Sequence, residues 1–146
     1  MFLVQGCSSL RLTAVIPARS GPIKLLQLPG GRVCLTLPDL AHALGLGPNR
    51  RHELYRGLHS GDYFKTRLPS PTRLQNTVCI YLASVVKILQ LRAQSRVRHI
   101  RRNVDLVVAA LEPYFKQHLG YSPLIGSGFF QLALLMNVVV QVTDWN

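Results

Sequence analysis

At 146 residues the chain is one domain long, enough to bury a single core without disulfide or metal staples. Lys+Arg number 17 against 6 Asp+Glu, a net charge of +11, and thirteen of the cations are arginine. That excess argues for an anionic partner, and guanidinium groups suit bidentate contacts to phosphate and guanine. The acids (Asp39, Glu53, Asp62, Asp105, Glu112, Asp144) are scattered singly, which excludes an acidic Mg²⁺ site and paired-carboxylate chemistry.

Residues 1–22 hold no acid, and the apolar run Phe2-Leu3-Val4 breaks at Gln5 and Gly6, too short for a secretory signal. A strand over residues 10–16 followed by a loop is expected. A mitochondrial transit peptide is the alternative, because no acid precedes Asp39, although Pro17 and Pro22 limit an amphipathic helix. Cys7, Cys34 and Cys79 form no CxxC, so they favour a reducing compartment and read as small core residues.

Residues 23–37 are two apolar runs around Pro29-Gly30-Gly31, a hairpin signal because glycine supplies the positive φ of a tight turn. Thr36 then caps a helix, with Pro38 in its first turn and Asp39 complementing the dipole. Leu37, Leu40, Ala41 and Leu44 form its buried face, and Gly45 ends it. Pro48 presets a second helix over residues 49–58, whose Leu54 and Leu58 make a buried i,i+4 pair, with Gly57 and Gly61 ending the run. Residues 62–68 and 77–82 read as two strands joined by a Pro-rich, basic loop at 69–73.

Residues 82–112 carry the longest pattern in the chain. Leu82, Val86, Leu89, Ala93, Val97, Ile100, Val104, Val107 and Leu111 recur at threes and fours, all within about 40° of one line on a helix. The pattern predicts one long helix stopped by Pro113. Its middle third bears Arg92, Arg96, Arg98, His99, Arg101 and Arg102 without an acid until Asp105: a solvated face, or a polyanion-binding one. Beyond Pro113 the composition changes. Residues 119–143 are uncharged and 129–142 nearly all apolar, yet polar interruptions make this tail a poor membrane span and a better buried segment.

Residues 40–58 have helix-turn-helix spacing, with Ala41 where the helices touch, Gly45 in the turn, and Leu46 and Leu54 holding the second helix. That helix would present Asn49, Arg50, Arg51, His52, Tyr55 and Arg56, Asn and Arg being able to contact adenine and guanine bidentately. Arg51 stands where a buried Val or Ile is usual. An ordinary αα-corner is the bland alternative. The following hairpin, with Lys65, Arg67 and Arg73, would be a wing reaching phosphates or a minor groove.

The run GRVCLTLPDLAHALGL, then RRHELYRGL, a hairpin and VCIYLASVVKIL, resembles the KilA-N/APSES group of DNA-binding domains. The Gly-rich hairpin before VCLTLPDL also resembles the Ski/Sno/Dachshund homology domain, although Thr36-Leu37 separates Cys34-Leu35 from Pro38. The resemblance covers about residues 23–91, rests on Cys34, Leu35, Pro38, Leu40 and Cys79, and implies a nuclear or viral DNA-binding or corepressor role.

The expected architecture is therefore α+β and winged-helix-like: hairpin, helix-turn-helix, hairpin wing and long basic helix, with an apolar C-terminal tail. Residues 1–22 form a strand and loop, 23–113 the nucleic-acid-binding domain and 114–146 the tail. The expected function is a nuclear, transcription-associated DNA-binding module. Asn49, Arg50, Arg51 and Arg56 contact the major groove, Lys65, Arg67 and Arg73 hold phosphate from the wing, and Arg92, Arg96, Arg98, Arg101 and Arg102 add non-specific affinity. Other readings are a protein-interaction or corepressor scaffold meeting an acidic protein or a second copy, and an RNA-binding protein stacking bases on Tyr55, Tyr63, Phe64 and Tyr81. A membrane partner is not expected. Ser60 beside His59 and Asp62 reads as a turn rather than a triad, and the histidines lack ligand spacing, so neither enzyme, cofactor nor metal is implied.

Overall fold

The computed structural model describes residues 10–18, 21–69, 74–123 and 125. Cys7, Arg73, the start of the chain and the apolar stretch 126–146 lie outside the described residues.

The fold is α+β, built on a five-stranded antiparallel sheet. In chain order come β1 (Arg11–Ile16), β2 (Ile23–Gln27), β3 (Val33–Thr36), α1 (Leu37–Ala43), a 3-10 segment (Pro48–Tyr55), β4 (Tyr63–Pro69), β5 (Leu74–Tyr81), α2 (Leu82–Arg92) and α3 (Arg98–Leu119). The strands lie in the order β1-β2-β3-β5-β4. The hairpin expected around Pro29-Gly30-Gly31 forms, with Gly31 at φ 98° and its N–H donating to the Leu28 carbonyl at 2.9 Å. The central strands β3 and β5 each run straight into a helix. Because they are antiparallel, α1 and α2 leave the sheet in opposite directions.

Side chains alternate across the sheet as a period of two demands. Leu25, Val33, Leu35 and Ile80 join the helices in the main core, while Leu26, Cys34 and Cys79 form a second cluster with Phe64 and Tyr81 on the opposite face. Thr36 caps α1 as its sequence implied: its hydroxyl accepts from the Asp39 N–H at 3.3 Å, and Leu37, Leu40, Ala41 and Leu44 are buried.

Three expectations change. The stretch 82–112 is not one helix but α2 and α3, broken at residues 93–97. A straight helix over that stretch would be roughly 46 Å long, beyond the ~30 Å of a small domain. Folding it in two lets both halves of the stripe reach one core. Eight of its nine members are buried, and only Val97, at the break, is 47% exposed. The bend is made locally. The Gln94 and Ser95 N–H groups donate back three residues, and the Ser95 hydroxyl accepts from the Val97 N–H at 3.1 Å in place of a helical bond.

Pro113 does not stop α3, which continues to Leu119. Pro113 and Ala109, whose carbonyl loses its helical donor, both face solvent, where water replaces the missing bond. The stop is Gly120, left-handed at φ 84°, donating to the Lys116 carbonyl at 3.1 Å. Finally, the second helix of the expected helix-turn-helix is a 3-10 segment. Leu54 is its one buried residue, so no apolar stripe stabilises an α-helix there. The Arg50–Glu53 pair at i,i+3 suits a repeat of three residues per turn.

Candidate nucleic-acid interface

The elbow between α2 and α3 gathers the densest charge. Arg96, Arg98, His99 and Arg102 are exposed and Arg101 is half-buried, its guanidinium donating to the Ser95 carbonyl at 2.8 Å. Arg98 and Arg102, four residues apart, share a face of α3. The first turn of α3 contains no acid, and no side chain caps its N–H groups. Cations there oppose the helix dipole and repel each other, each at a cost of a few tenths of a kcal/mol.

Tertiary contacts fix the elbow against the rest of the fold. Asn103 donates to the Leu44 carbonyl at 3.1 Å, finishing α1 from outside. Gly45 (φ 81°) lies so close that an added Cβ would sit 2.7 Å from the Asn103 amide nitrogen. At the start of α2, Asp62 accepts from the His59 N–H at 2.8 Å, the Ser84 hydroxyl at 2.7 Å and the Lys87 ammonium at 3.0 Å. Those donors, the His59 N–H foremost, hold its carboxyl down at about 2. His59 to Asp62 is thus a turn, as its sequence implied, with Asp62 as its anchor.

The 3-10 segment is charged but neutralised. Arg50 grips Glu53 with two bonds of 3.2 Å, and Arg92 reaches the same carboxylate at 3.8 Å and the Glu53 carbonyl at 3.3 Å. Arg50 first, and Arg92 with it, lower the Glu53 carboxyl below its ordinary range. Arg51 is half-buried, its Nε without a hydrogen-bond partner among the described residues. Asn49 and Arg56 are exposed. The structure therefore brings Arg50 and Arg92 together, through an acid that sequence reasoning passed over. Its signal was its spacing, three residues after Arg50 and alone between Asp39 and Asp62.

Lys65 and Arg67 are exposed on β4, opposite Val78 and Asn76, and no described contact joins them to the elbow. Other acids are engaged elsewhere: Asp39 with Lys24, Asp62 with Lys87 and Glu112 with Lys116. Arg56, Lys65, Arg67, Arg96, Arg98, Arg101 and Arg102 have no acidic ion-pair partner among the described residues. The aromatics named for stacking are occupied: Tyr55 meets Tyr63 and Phe64 meets Tyr81, each at 5.3 Å between centroids, with Arg32 3.5 Å over the Tyr81 ring.

Cys34 and Cys79 are fully buried, and contact with Cys79, then burial, push the Cys34 thiol up, away from thiolate chemistry. Among the described residues no cluster of three His, Cys, Asp or Glu is placed to hold a metal ion, and no helix is long and apolar enough to cross a membrane. No family model, curated protein or solved structure matches the chain.

Proposed function

We propose that the chain is a DNA-binding, transcription-associated module of the nucleus, and that the elbow between α2 and α3 supplies its main contacts to the duplex. One observation carries the reading: Arg96, Arg98, Arg101 and Arg102 cluster within seven residues at the uncapped start of a 22-residue helix, without an acidic partner among the described residues. An arrangement that costs the free protein stability is relieved by phosphate, whose counterions are released on binding.

The winged-helix form of the proposal draws on the order of elements, a helical pair followed by the β4–β5 hairpin carrying Lys65 and Arg67. Base reading by the 3-10 segment is a smaller part, since Glu53 holds Arg50 and Arg51 is half-buried; Asn49 and Arg56 remain its exposed polar groups. Duplex DNA is favoured over single-stranded RNA because the aromatic rings are engaged with one another rather than presented for base stacking.

The test is fluorescence anisotropy with duplex DNA, single-stranded RNA and heparin across a salt series. Contact with about six phosphates gives a slope of log K against log salt of roughly −5. A duplex preference surviving at physiological salt is the expected result. Equal binding to all three, or to none, overturns it.

A further inference from the structure

The 3-10 segment and α2 leave between them a groove of about 70 Å³, walled by Leu54 and Leu58 on one side and Ile88 and Leu91 on the other. Leu54 and Ile88 are buried in its floor, whereas Leu91 stands 61% exposed at the lip. Arg56, Lys87 and Arg92 border the same groove against one carboxylate, Glu53. At Gly57, where the chain turns with φ 85°, an added Cβ would meet nothing within 4 Å, so the mouth is open to an incoming chain.

Size decides what enters. Small-molecule and cofactor sites occupy about 300–1,000 Å³, and a cavity of about 150 Å³ holds benzene. A space of about 70 Å³ takes a single aliphatic side chain. Charge decides what surrounds that side chain. Lys87 and Arg92 are shared with Asp62 and Glu53, and Arg56 has no acidic partner among the described residues, which leaves the rim net positive. Nucleic acid offers the rim its phosphates, but for the floor no aliphatic group larger than the thymine methyl.

We propose that this groove docks an acidic peptide segment of a partner protein, seating one aliphatic side chain against Leu58, Ile88 and Leu91 while flanking carboxylates meet Arg56 and Lys87. The contact has the form of a peptide anchored in an apolar groove with charge setting its specificity. The groove lies apart from Arg96, Arg98, Arg101 and Arg102, and it shares with the proposed DNA contacts only Arg92 and Arg56, so the main DNA-binding surface stays free when the peptide is seated.

The test uses the full chain and a fluorescein-labelled peptide, Glu-Asp-Glu-Leu-Leu-Glu-Asp-Glu, titrated by anisotropy at physiological salt. Saturable binding is expected. It weakens about tenfold when both leucines of the peptide become serine, about tenfold with Leu91→Ser, and at least as much with Arg56→Glu. The double variant Arg98→Glu/Arg102→Glu leaves peptide affinity within about twofold while lowering duplex DNA affinity, and Leu91→Ser does the reverse. The serine peptide needs no variant protein, so the proposal is testable even if a substitution disturbs folding. Absence of saturable binding, equal affinity for the serine peptide, or loss of peptide binding with the Arg98/Arg102 variant overturns it. The last outcome assigns the peptide to the elbow as a generic polyanion.

Discussion

The 3-10 segment and the elbow between α2 and α3 are both rich in arginine, and they differ in what faces the guanidinium groups. In the 3-10 segment Glu53 lies three residues from Arg50, which spends two hydrogen bonds on its carboxylate, while Arg92 bonds the Glu53 carbonyl and pairs with the same carboxylate at 3.8 Å. In the elbow the nearest acid along the chain is Asp105, a turn beyond the cluster, and Arg98 and Arg102 keep their donors exposed. With the adjoining Arg56 the 3-10 segment offers three arginines and a histidine against four arginines and a histidine at residues 96–102, so composition alone separates the two stretches little. The difference teaches that charge counted along a sequence is not charge available to a ligand. Glu53 engages one arginine three residues away and a second from α2, whereas Asp105, three residues beyond Arg102, forms no ion pair among the described residues.

The largest effect that separates the two regions is on nucleic-acid affinity. Reversing Arg98 and Arg102 together to Glu should lower duplex affinity about 10²-fold near 0.1 M salt and flatten the salt slope by about two units, both read by anisotropy. Arg50→Ala should change the same affinity by less than about threefold. A comparable loss from Arg50→Ala would invert the comparison.

Next comes the anchor that sets the start of α2. Asp62→Ala should lower stability by about 2–3 kcal/mol in urea unfolding, because the buried Ser84 hydroxyl, the His59 N–H and Lys87 lose their shared acceptor. The same group gives the protein an acid limit. The folded carboxyl is held at about 2, below its ordinary 3.8, so its contribution is complete above about pH 4 and is lost as pH falls from there through 2. Asp62→Asn should flatten that part of the stability–pH curve; an unchanged curve would remove Asp62 as its cause.

Gly45→Ala tests the seat of the elbow on α1. The left-handed backbone and the 2.7 Å approach to Asn103 should together cost about 1–2 kcal/mol, with Asn103→Ala alone near 1 kcal/mol, both measured by thermal unfolding. The smallest effect is the sharpest on the comparison itself. Glu53→Gln should release Arg50 and Arg92 and tighten duplex binding by about threefold. Unchanged binding would mean that position, rather than neutralisation, keeps the 3-10 segment silent.

Much of the fold was legible where the cause is local. Thr36, Pro38 and Asp39 start α1 by capping chemistry that needs three residues and no tertiary contact. Pro29-Gly30-Gly31 turns the chain because glycine tolerates a positive φ, and the alternation of Leu25, Leu26, Cys34 and Leu35 sorts itself onto two faces by the pleat alone. The break at 93–97 was not legible, because the apolar stripe runs through it with unbroken spacing, and only the size of the available core makes a straight helix untenable. The passage of α3 through Pro113 depends on Ala109 facing water. Asp62 looked like a turn residue, and its role as an acceptor depends on Ser84 and Lys87 from more than twenty residues away.

The arginine set shows the same division. Sequence singled out the residues that carry the positive charge, since side-chain type decides charge whatever the fold. Which of them remain open was decided by proximity to Glu53 and by the folding of one predicted helix into two. By itself the sequence determined the cationic character of the chain, its α+β class, its turns and caps, and which residues avoid water, because these follow from side-chain chemistry and short-range spacing. Tertiary structure alone decided where the long stripe bends, that the polar second helix tightens to a 3-10 segment, and which arginines are neutralised. Each of those is a competition between a local preference and burial against a distant element, and the distant element is what a linear pattern does not contain.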